Sequence, residues 1–305
     1  MQQGAETQPG RKGPRVFLDY TQSELDAAYD QAIYAPNRQQ CQDRKASLSA
    51  AVRARLGEPE RFAYGPSEVE RVDVYRTAAK NAPIFILIHG GAWRNGVARD
   101  NAYAAESLVF AGAHFVVPDF IQVQDAGGSL VPMVEQVRRA VAWLHENAQR
   151  FGGDPNRLHL GGHSSGGHLA SCALITDWAK EFGLPGDTIK GAMLCSGMYD
   201  LKGPRLSARS QYVAFTDAME ESLSAMRHLE RITMPVIVAY GTHETPEFQR
   251  QGRDFHAALK AARKPVELVV GEHYNHFEMP DTLSNPFSLL GRAVFAQMGL
   301  KLTPA

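Results

Sequence analysis

The sequence predicts an α/β fold: a mostly parallel central sheet with helices on both faces and a small cap. Short apolar segments recur along the chain and alternate with stretches whose apolar residues have helical spacing. The segment 84–88 is apolar without interruption, which is typical of a strand buried on both faces. With 305 residues and 44% hydrophobic content, the chain is long enough to build a sizeable core.

The strands and helices are expected in a regular order. Alternating valines within 68–75 indicate a half-exposed edge strand, and the buried strand at 84–88 follows it. The segment 133–144 carries its apolar residues on one helix face, as expected for a helix packed on the sheet. Further strands are predicted at 114–117, 158–160, 192–195, 236–240 and 266–270.

The domain organisation follows from composition. Residues 1–15 are polar and rich in Gly, Pro and Gln, which predicts a flexible tail, and residues 16–305 are expected to form a single domain. Two helical patterns within 20–56 predict a first cap segment. A more polar stretch at 201–233, with a helix expected at 220–229, interrupts the alternation of strands and helices and predicts a second cap segment.

Charge and cysteine content exclude several function classes. The 32 Lys+Arg residues balance 33 Asp+Glu residues, so nucleic acid is not an expected partner. No apolar stretch is long enough to predict a membrane span. Phosphate-loop, dinucleotide and H-E-x-x-H motifs are missing from the sequence, so neither a bound nucleotide nor a metal is expected. The three cysteines form no C-x-x-C pair, which favours a cytoplasmic protein.

The strongest motif is G-H-S-S-G at 162–166, between the predicted strand 158–160 and a predicted helix. A strand that turns sharply into a helix presents the turning residue, Ser164, at the carboxyl edge of the sheet. Glycines two positions away on either side remove side chains that would collide in the turn. The backbone N–H of Ser165, at the helix N-terminus, is a candidate donor to an oxyanion. His163 is a candidate pocket residue or a packing residue.

A second motif, H-G-G-A-W at 89–93, follows the most hydrophobic predicted strand. Ligands of open α/β sheets bind at such strand ends. Consecutive glycines let backbone N–H groups approach a substrate oxygen, so Gly90 and Gly91 are the other candidate oxyanion donors. His89 is expected to brace this loop. Trp93 is expected either to contact substrate or to pack.

A serine nucleophile needs a base and an acid, and in this kind of sheet the chain order is Ser, acid, His. Glu244 follows the strand 236–240 and is the favoured acid, with Asp200 as the alternative after an earlier strand. His273 and His276 both follow the strand 266–270, and either can serve as the base on this reasoning.

These motifs, together with G-G-D-P-N-R at 152–157 and T-P-E-F-Q-R-Q at 245–251, resemble the kynurenine formamidase (arylformamidase) family and related carboxylesterases of the α/β-hydrolase fold. The resemblance spans residues 64–277. It implies that Ser164 is the nucleophile, Glu244 the acid and His276, rather than His273, the base. The chain departs from the family at Glu244, where relatives usually carry Asp, and at Ser165, where they often carry Ala.

The resemblance implies a cofactor-free, two-step hydrolysis of a small-molecule ester or amide. The first hypothesis is a carboxylesterase that acts on small carboxylic esters. The second is an arylformamidase that hydrolyses N-formylkynurenine or related aryl amides. The third is a binding protein that keeps the fold without catalysis. A homo-oligomer is compatible with all three.

Overall fold

The computed structural model describes residues 13–301, which fold around one eight-stranded sheet. A short two-stranded sheet precedes it. Residues 1–12 of the predicted tail lie outside the described residues, and Arg15 already belongs to a strand. The strands are β1 (Arg15–Phe17), β2 (Tyr20–Thr21), β3 (Glu60–Ala63), β4 (Arg71–Tyr75), β5 (Ala82–Ile88), β6 (His114–Pro118), β7 (Gly153–His163), β8 (Ile189–Cys195), β9 (Val236–Gly241) and β10 (Val266–Gly271).

Helices occupy most of the chain between the strands. Each predicted central strand is present, and the predicted α/β class is confirmed. The helices are α1 (Gln22–Ala28), α2 (Arg38–Leu56), α3 (Ala105–Phe110), α4 (Val131–Asn147), α5 (Ser165–Leu174), α6 (Trp178–Phe182), α7 (Lys202–Leu206), α8 (Asp217–Ser222), α9 (Pro246–Ala261) and α10 (Leu289–Met298). In the part of the chain from 13 to 301, no helix is long and apolar enough to cross a membrane.

The large sheet has the order β10-β9-β8-β7-β5-β6-β4-β3. All neighbours from β10 to β6 pair in parallel, and β4 and β3 add antiparallel pairs at one side. The carboxyl ends of β5, β7, β8, β9 and β10 therefore meet at one edge, which is where the loops that follow these strands come together.

The strand β5 explains why helices cover both faces. All seven of its residues are buried. Because successive side chains of a strand point to opposite faces, Ile84 and Ile86 pack in one hydrophobic cluster and Phe85 packs in another. The helix α4 contributes Val137 to the first cluster, and α10 contributes Val294 to the second.

Two local predictions are wrong. The strand predicted as an edge, β4, lies between β3 and β6, because the polar segment Glu60–Ala63 forms the true edge. The predicted helix at 220–229 is broken: α8 ends at Ser222 and two short 3₁₀ turns follow. Just after the end of α8, the Ser224 hydroxyl donates to the Glu220 carbonyl and accepts the N–H of Leu201, which ties this turn to the start of the second cap segment.

Candidate active site

Ser164 sits at the turn between β7 and α5 with φ 58° and ψ −127°, a strained conformation for a residue with a side chain. The turn is tight on both sides. A Cβ at Gly162 would overlap the Gly166 carbonyl oxygen, and one at Gly166 would overlap the Ile88 carbonyl oxygen. Both glycines of the motif are therefore required by close backbone packing, as the sequence predicts.

Replacing Gly166 with alanine is expected to lower the free energy of unfolding by about 2 kcal/mol, because the new methyl group must push apart α5 and the end of β5. Urea denaturation measures this change. Gly186→Ala is the matched control: a Cβ there has no neighbour within 4 Å, so the change should stay within about 0.5 kcal/mol. Equal stability of the two variants would show that the turn relaxes freely.

The structure brings Ser164, His276 and Glu244 together from three separate loops. The Ser164 hydroxyl donates to His276 Nε2 at 2.9 Å. His276 Nδ1–H donates to Glu244 Oε2 at 2.7 Å, since the carboxylate can only accept. All three side chains are buried, and Glu244 is 1% exposed.

The Glu244 carboxylate accepts further hydrogen bonds that hold it in place. Oε1 accepts the Ser196 hydroxyl at 2.6 Å and the N–H of Gly241 at 2.7 Å. Oε2 also accepts the side-chain amide of Gln31 at 3.1 Å. Neither Ser196 nor Gln31 is among the site residues predicted from the sequence. The end of β8 could have drawn attention to Ser196, whereas nothing in the sequence singles out Gln31, 213 residues away from Glu244.

The alternative acid and base lie elsewhere. Asp200 accepts from Arg227 at 3.2 Å and from the N–H of Lys202 at 2.9 Å, so its carboxylate serves a local ion pair and turn. The ring of His273 is exposed and faces His243, with 5.4 Å between the ring centroids. Neither side chain contacts Ser164 or His276.

The predicted oxyanion residues flank the serine. Gly90 lies directly against it, since a Cβ at Gly90 would stand 3.1 Å from the Ser164 Cβ. Gly91 has φ +130°, which residues with side chains rarely adopt. Ser165 is the first residue of α5, so its N–H has no acceptor within the helix.

Of the two roles expected for Trp93, the structure shows packing, so the predicted substrate contact is corrected. The side chain is buried, at 2% exposure, and does not line the cavity beside Ser164. Its indole N–H donates to His168 Nδ1 at 3.2 Å, and His168 Nε2–H donates to the Leu223 carbonyl at 3.0 Å. Burial lowers the pKa of His168 to about 4, which keeps Nδ1 free to accept. Trp93 thus anchors the glycine loop to α5.

His163 and His89 flank the same loops. His163 Nε2–H donates to the His276 carbonyl oxygen at 2.9 Å, and the two imidazole rings lie 4.6 Å apart. Burial, reinforced by His276, lowers the pKa of His163 well below its usual value. His89 stacks on Phe120, with 4.4 Å between the ring centroids, which suits the bracing role predicted for it.

Ser164 opens into a cavity of about 710 Å³, within the usual range for small-molecule sites. His163, Gly90 and Gly91 line it together with Ser164 and His276. Both predicted cap segments also contribute to the lining. Within residues 13–301, no three His, Cys, Asp or Glu side chains are arranged to hold a metal ion.

Comparison with known proteins identifies relatives of this chain. The BD-FAE family model matches residues 72–191. Kynurenine formamidase of Danio rerio is 31% identical over 245 residues, which cover 77% of this chain and 80% of that protein. Kynurenine formamidase of Salmo salar is also 31% identical, over 249 residues, with the same two coverages of 77% and 80%.

A solved structure agrees with the fold. An esterase of Pyrobaculum calidifontis superposes with a TM-score of 0.67 and 20% sequence identity, covering 91% of this chain and 95% of that one. That likeness confirms the predicted α/β-hydrolase fold, while the sequence relatives extend over most of both chains and confirm the resemblance drawn from the motifs. The chain belongs to the kynurenine formamidase family of α/β-hydrolases, and it is a hydrolase.

Proposed function

We propose that the protein is a carboxylesterase that cleaves small carboxylic esters through an acyl-enzyme on Ser164. The observation that carries this proposal is the continuous hydrogen-bond series from the Ser164 hydroxyl through His276 to Glu244. A serine hydroxyl is a poor nucleophile at neutral pH, and this series supplies a base together with a carboxylate that fixes its tautomer.

In the first step Ser164 Oγ attacks the ester carbonyl while His276 Nε2 takes the hydroxyl proton. The carbonyl oxygen becomes negative, and the N–H groups of Ser165 and of the Gly90 and Gly91 loop are the proposed donors to it. When the tetrahedral intermediate collapses, His276 gives the proton to the leaving alcohol. In the second step His276 activates water, which hydrolyses the acyl-enzyme and regenerates Ser164.

A second candidate is an arylformamidase that acts on N-formylkynurenine. This molecule has an aryl formamide at one end and an amino-acid carboxylate at the other. Two observations favour it: the kynurenine formamidase relatives, and the cationic side chains of the cavity wall. Lys45 and Arg209 both line the cavity, and neither is ion-paired with a carboxylate among the described residues. Lys45 Nζ donates to the Asn101 amide oxygen at 3.1 Å, which leaves further donors for a substrate carboxylate.

A direct comparison of the two substrates tests this choice. Catalytic efficiency, kcat/KM, is measured for p-nitrophenyl acetate and for N-formylkynurenine with the same enzyme preparation. The carboxylesterase proposal expects the ester to be turned over at least as efficiently. A kcat/KM for N-formylkynurenine that is higher by orders of magnitude would contradict the carboxylesterase proposal and favour the arylformamidase.

Lys45→Met is expected to raise the KM for an ester or amide that carries a carboxylate by about tenfold, because the variant keeps the unbranched apolar stem of the side chain and loses its positive charge. The KM for p-nitrophenyl acetate, which is neutral, should not change. Lys80→Met is the matched control at an exposed position. Equal effects of Lys45→Met on both substrates would contradict a carboxylate contact.

We further propose that the first cap segment (20–56) and the second cap segment (201–233) together shape the pocket. The support is that Tyr29 and Lys45 of the first segment, and Arg209 and Tyr212 of the second, line the cavity. His163, which also lines the cavity, is a proposed substrate contact.

A cytoplasmic location is also proposed, supported by three buried cysteines with free thiols, and cell fractionation tests it. Light scattering decides whether the protein is a homo-oligomer.

A further inference from the structure

The hydrogen bonds of the Glu244 carboxylate come from two different parts of the molecule. His276, Ser196 and Gly241 lie on loops at the ends of the central strands or on a strand itself. Gln31 lies in a 3₁₀ turn of the first cap segment, before the central sheet begins. Its amide reaches the same oxygen, Oε2, that accepts from His276.

The hydrogen bonds of Gln31 fix the orientation of its side-chain amide. Its Oε1 accepts the backbone N–H of Thr245 at 3.1 Å, while its Nε2 donates to Glu244 Oε2 at 3.1 Å. The side chain is buried, at 6% exposure. One amide therefore bridges the Glu244 side chain and the main chain of the next residue.

The neighbouring residues hold this part of the cap segment against α9. The Tyr29 hydroxyl donates to Glu247 Oε2 at 3.0 Å, and Arg209 donates to the Tyr29 carbonyl oxygen at 3.1 Å. Gln31 thus comes from a segment that is bonded both to the helix after the acid and to the second cap segment.

We propose that Gln31 is a positioning residue of the active site, through which the first cap segment sets the orientation and the electrostatic surroundings of the carboxylate that supports His276. This inference rests on the proposed function, in which Glu244 is the acid. A neutral donor on Oε2 restricts the rotation of the carboxylate, so His276 Nδ1–H meets an acceptor of fixed direction. The cap segment is then part of the catalytic machinery as well as a wall of the pocket.

Gln31→Glu tests the electrostatic part of the inference. The new carboxylate has nearly the same shape and can still accept the N–H of Thr245, but it cannot donate to Glu244 unless it is protonated. Two carboxylates in contact share a proton at low pH and carry a second negative charge at higher pH. That charge stabilises protonated His276, so the acid limb of kcat/KM against pH should move to higher pH by about one unit.

Gln31→Ala tests the positional part. It removes the donor without adding charge, and we expect kcat for p-nitrophenyl acetate to fall about tenfold with KM within about twofold of the wild-type value. Gln39→Ala is the matched control, since Gln39 is an exposed glutamine of the same cap segment whose amide donates to Asp43. It should change neither kcat nor the pH profile.

A folded Gln31→Glu protein with the wild-type acid limb overturns the inference, whatever Gln31→Ala does, because a residue that merely fills space would alter stability and leave the pH profile in place. Failure of the proposed function looks different. In that case the Ser164→Ala or Glu244→Gln protein keeps its activity. Failure of the inference alone leaves those two variants inactive and the acid limb of Gln31→Glu at its wild-type position.

Discussion

Ser164→Ala is expected to lower kcat for ester hydrolysis by roughly 10⁶-fold and to abolish labelling by a fluorophosphonate probe. The hydroxyl that donates to His276 Nε2 is the proposed nucleophile, and without it the acyl-enzyme cannot form. Activity against p-nitrophenyl acetate and covalent labelling of the purified protein measure the two effects. The fold should be unaffected, because alanine keeps the Cβ at the turn.

Ser165→Ala provides the control for this prediction. The adjacent serine is proposed to contribute only its backbone N–H, which alanine retains, so kcat should stay within about twofold of the wild-type value. Labelling that persists in Ser164→Ala and disappears in Ser165→Ala would overturn the assignment of the nucleophile. Wild-type protein that is not labelled at all would favour the hypothesis of a catalytically silent fold.

Glu244→Gln is expected to lower kcat by about 10⁴-fold while the protein stays folded. The amide is the same size as the carboxylate, but it carries no charge and its NH₂ group can face His276. Nδ1 of His276 then accepts from the amide, so the ring carries its proton on Nε2 and cannot take the proton of Ser164. The imidazolium that forms during attack also loses its counter-charge. Steady-state kinetics with p-nitrophenyl acetate measures the loss, and circular dichroism verifies the fold.

Asp200→Asn is the matched control, because Asp200 is the acid that strand order alone leaves open. Its carboxylate is engaged by Arg227 and the N–H of Lys202, so the variant should lose a little stability and keep kcat within about threefold of the wild-type value. The reverse result, a large loss of kcat in Asp200→Asn and little in Glu244→Gln, would transfer the role of the acid to Asp200.

Two features that the sequence left open or hidden have simple physical causes. The position of Trp93 after the glycine loop suits a pocket wall or a packing residue, and it packs because its indole N–H has a buried partner, His168, on a helix 75 residues further along. The polar strand β3 has no apolar alternation to reveal it, and its place at the edge follows from its pairing with β4. Both features depend on a partner segment that the local sequence pattern does not show.

The sequence by itself determined the parallel sheet, the sharp turn at Ser164 and the presence of an acid and a histidine after later strands. Those features depend on local patterns: apolar runs, glycines at fixed spacing, and the rule that parallel strands end at one edge. Strand order left both His273 and His276 open and the family resemblance favoured His276, whose ring the tertiary structure places against Ser164. Only the tertiary structure showed that Gln31 and Ser196 hold Glu244. These contacts depend on the direction that a loop takes and on the packing of a segment more than 200 residues away from Glu244. Neither produces a pattern of apolar residues or glycines that could be recognised in the sequence.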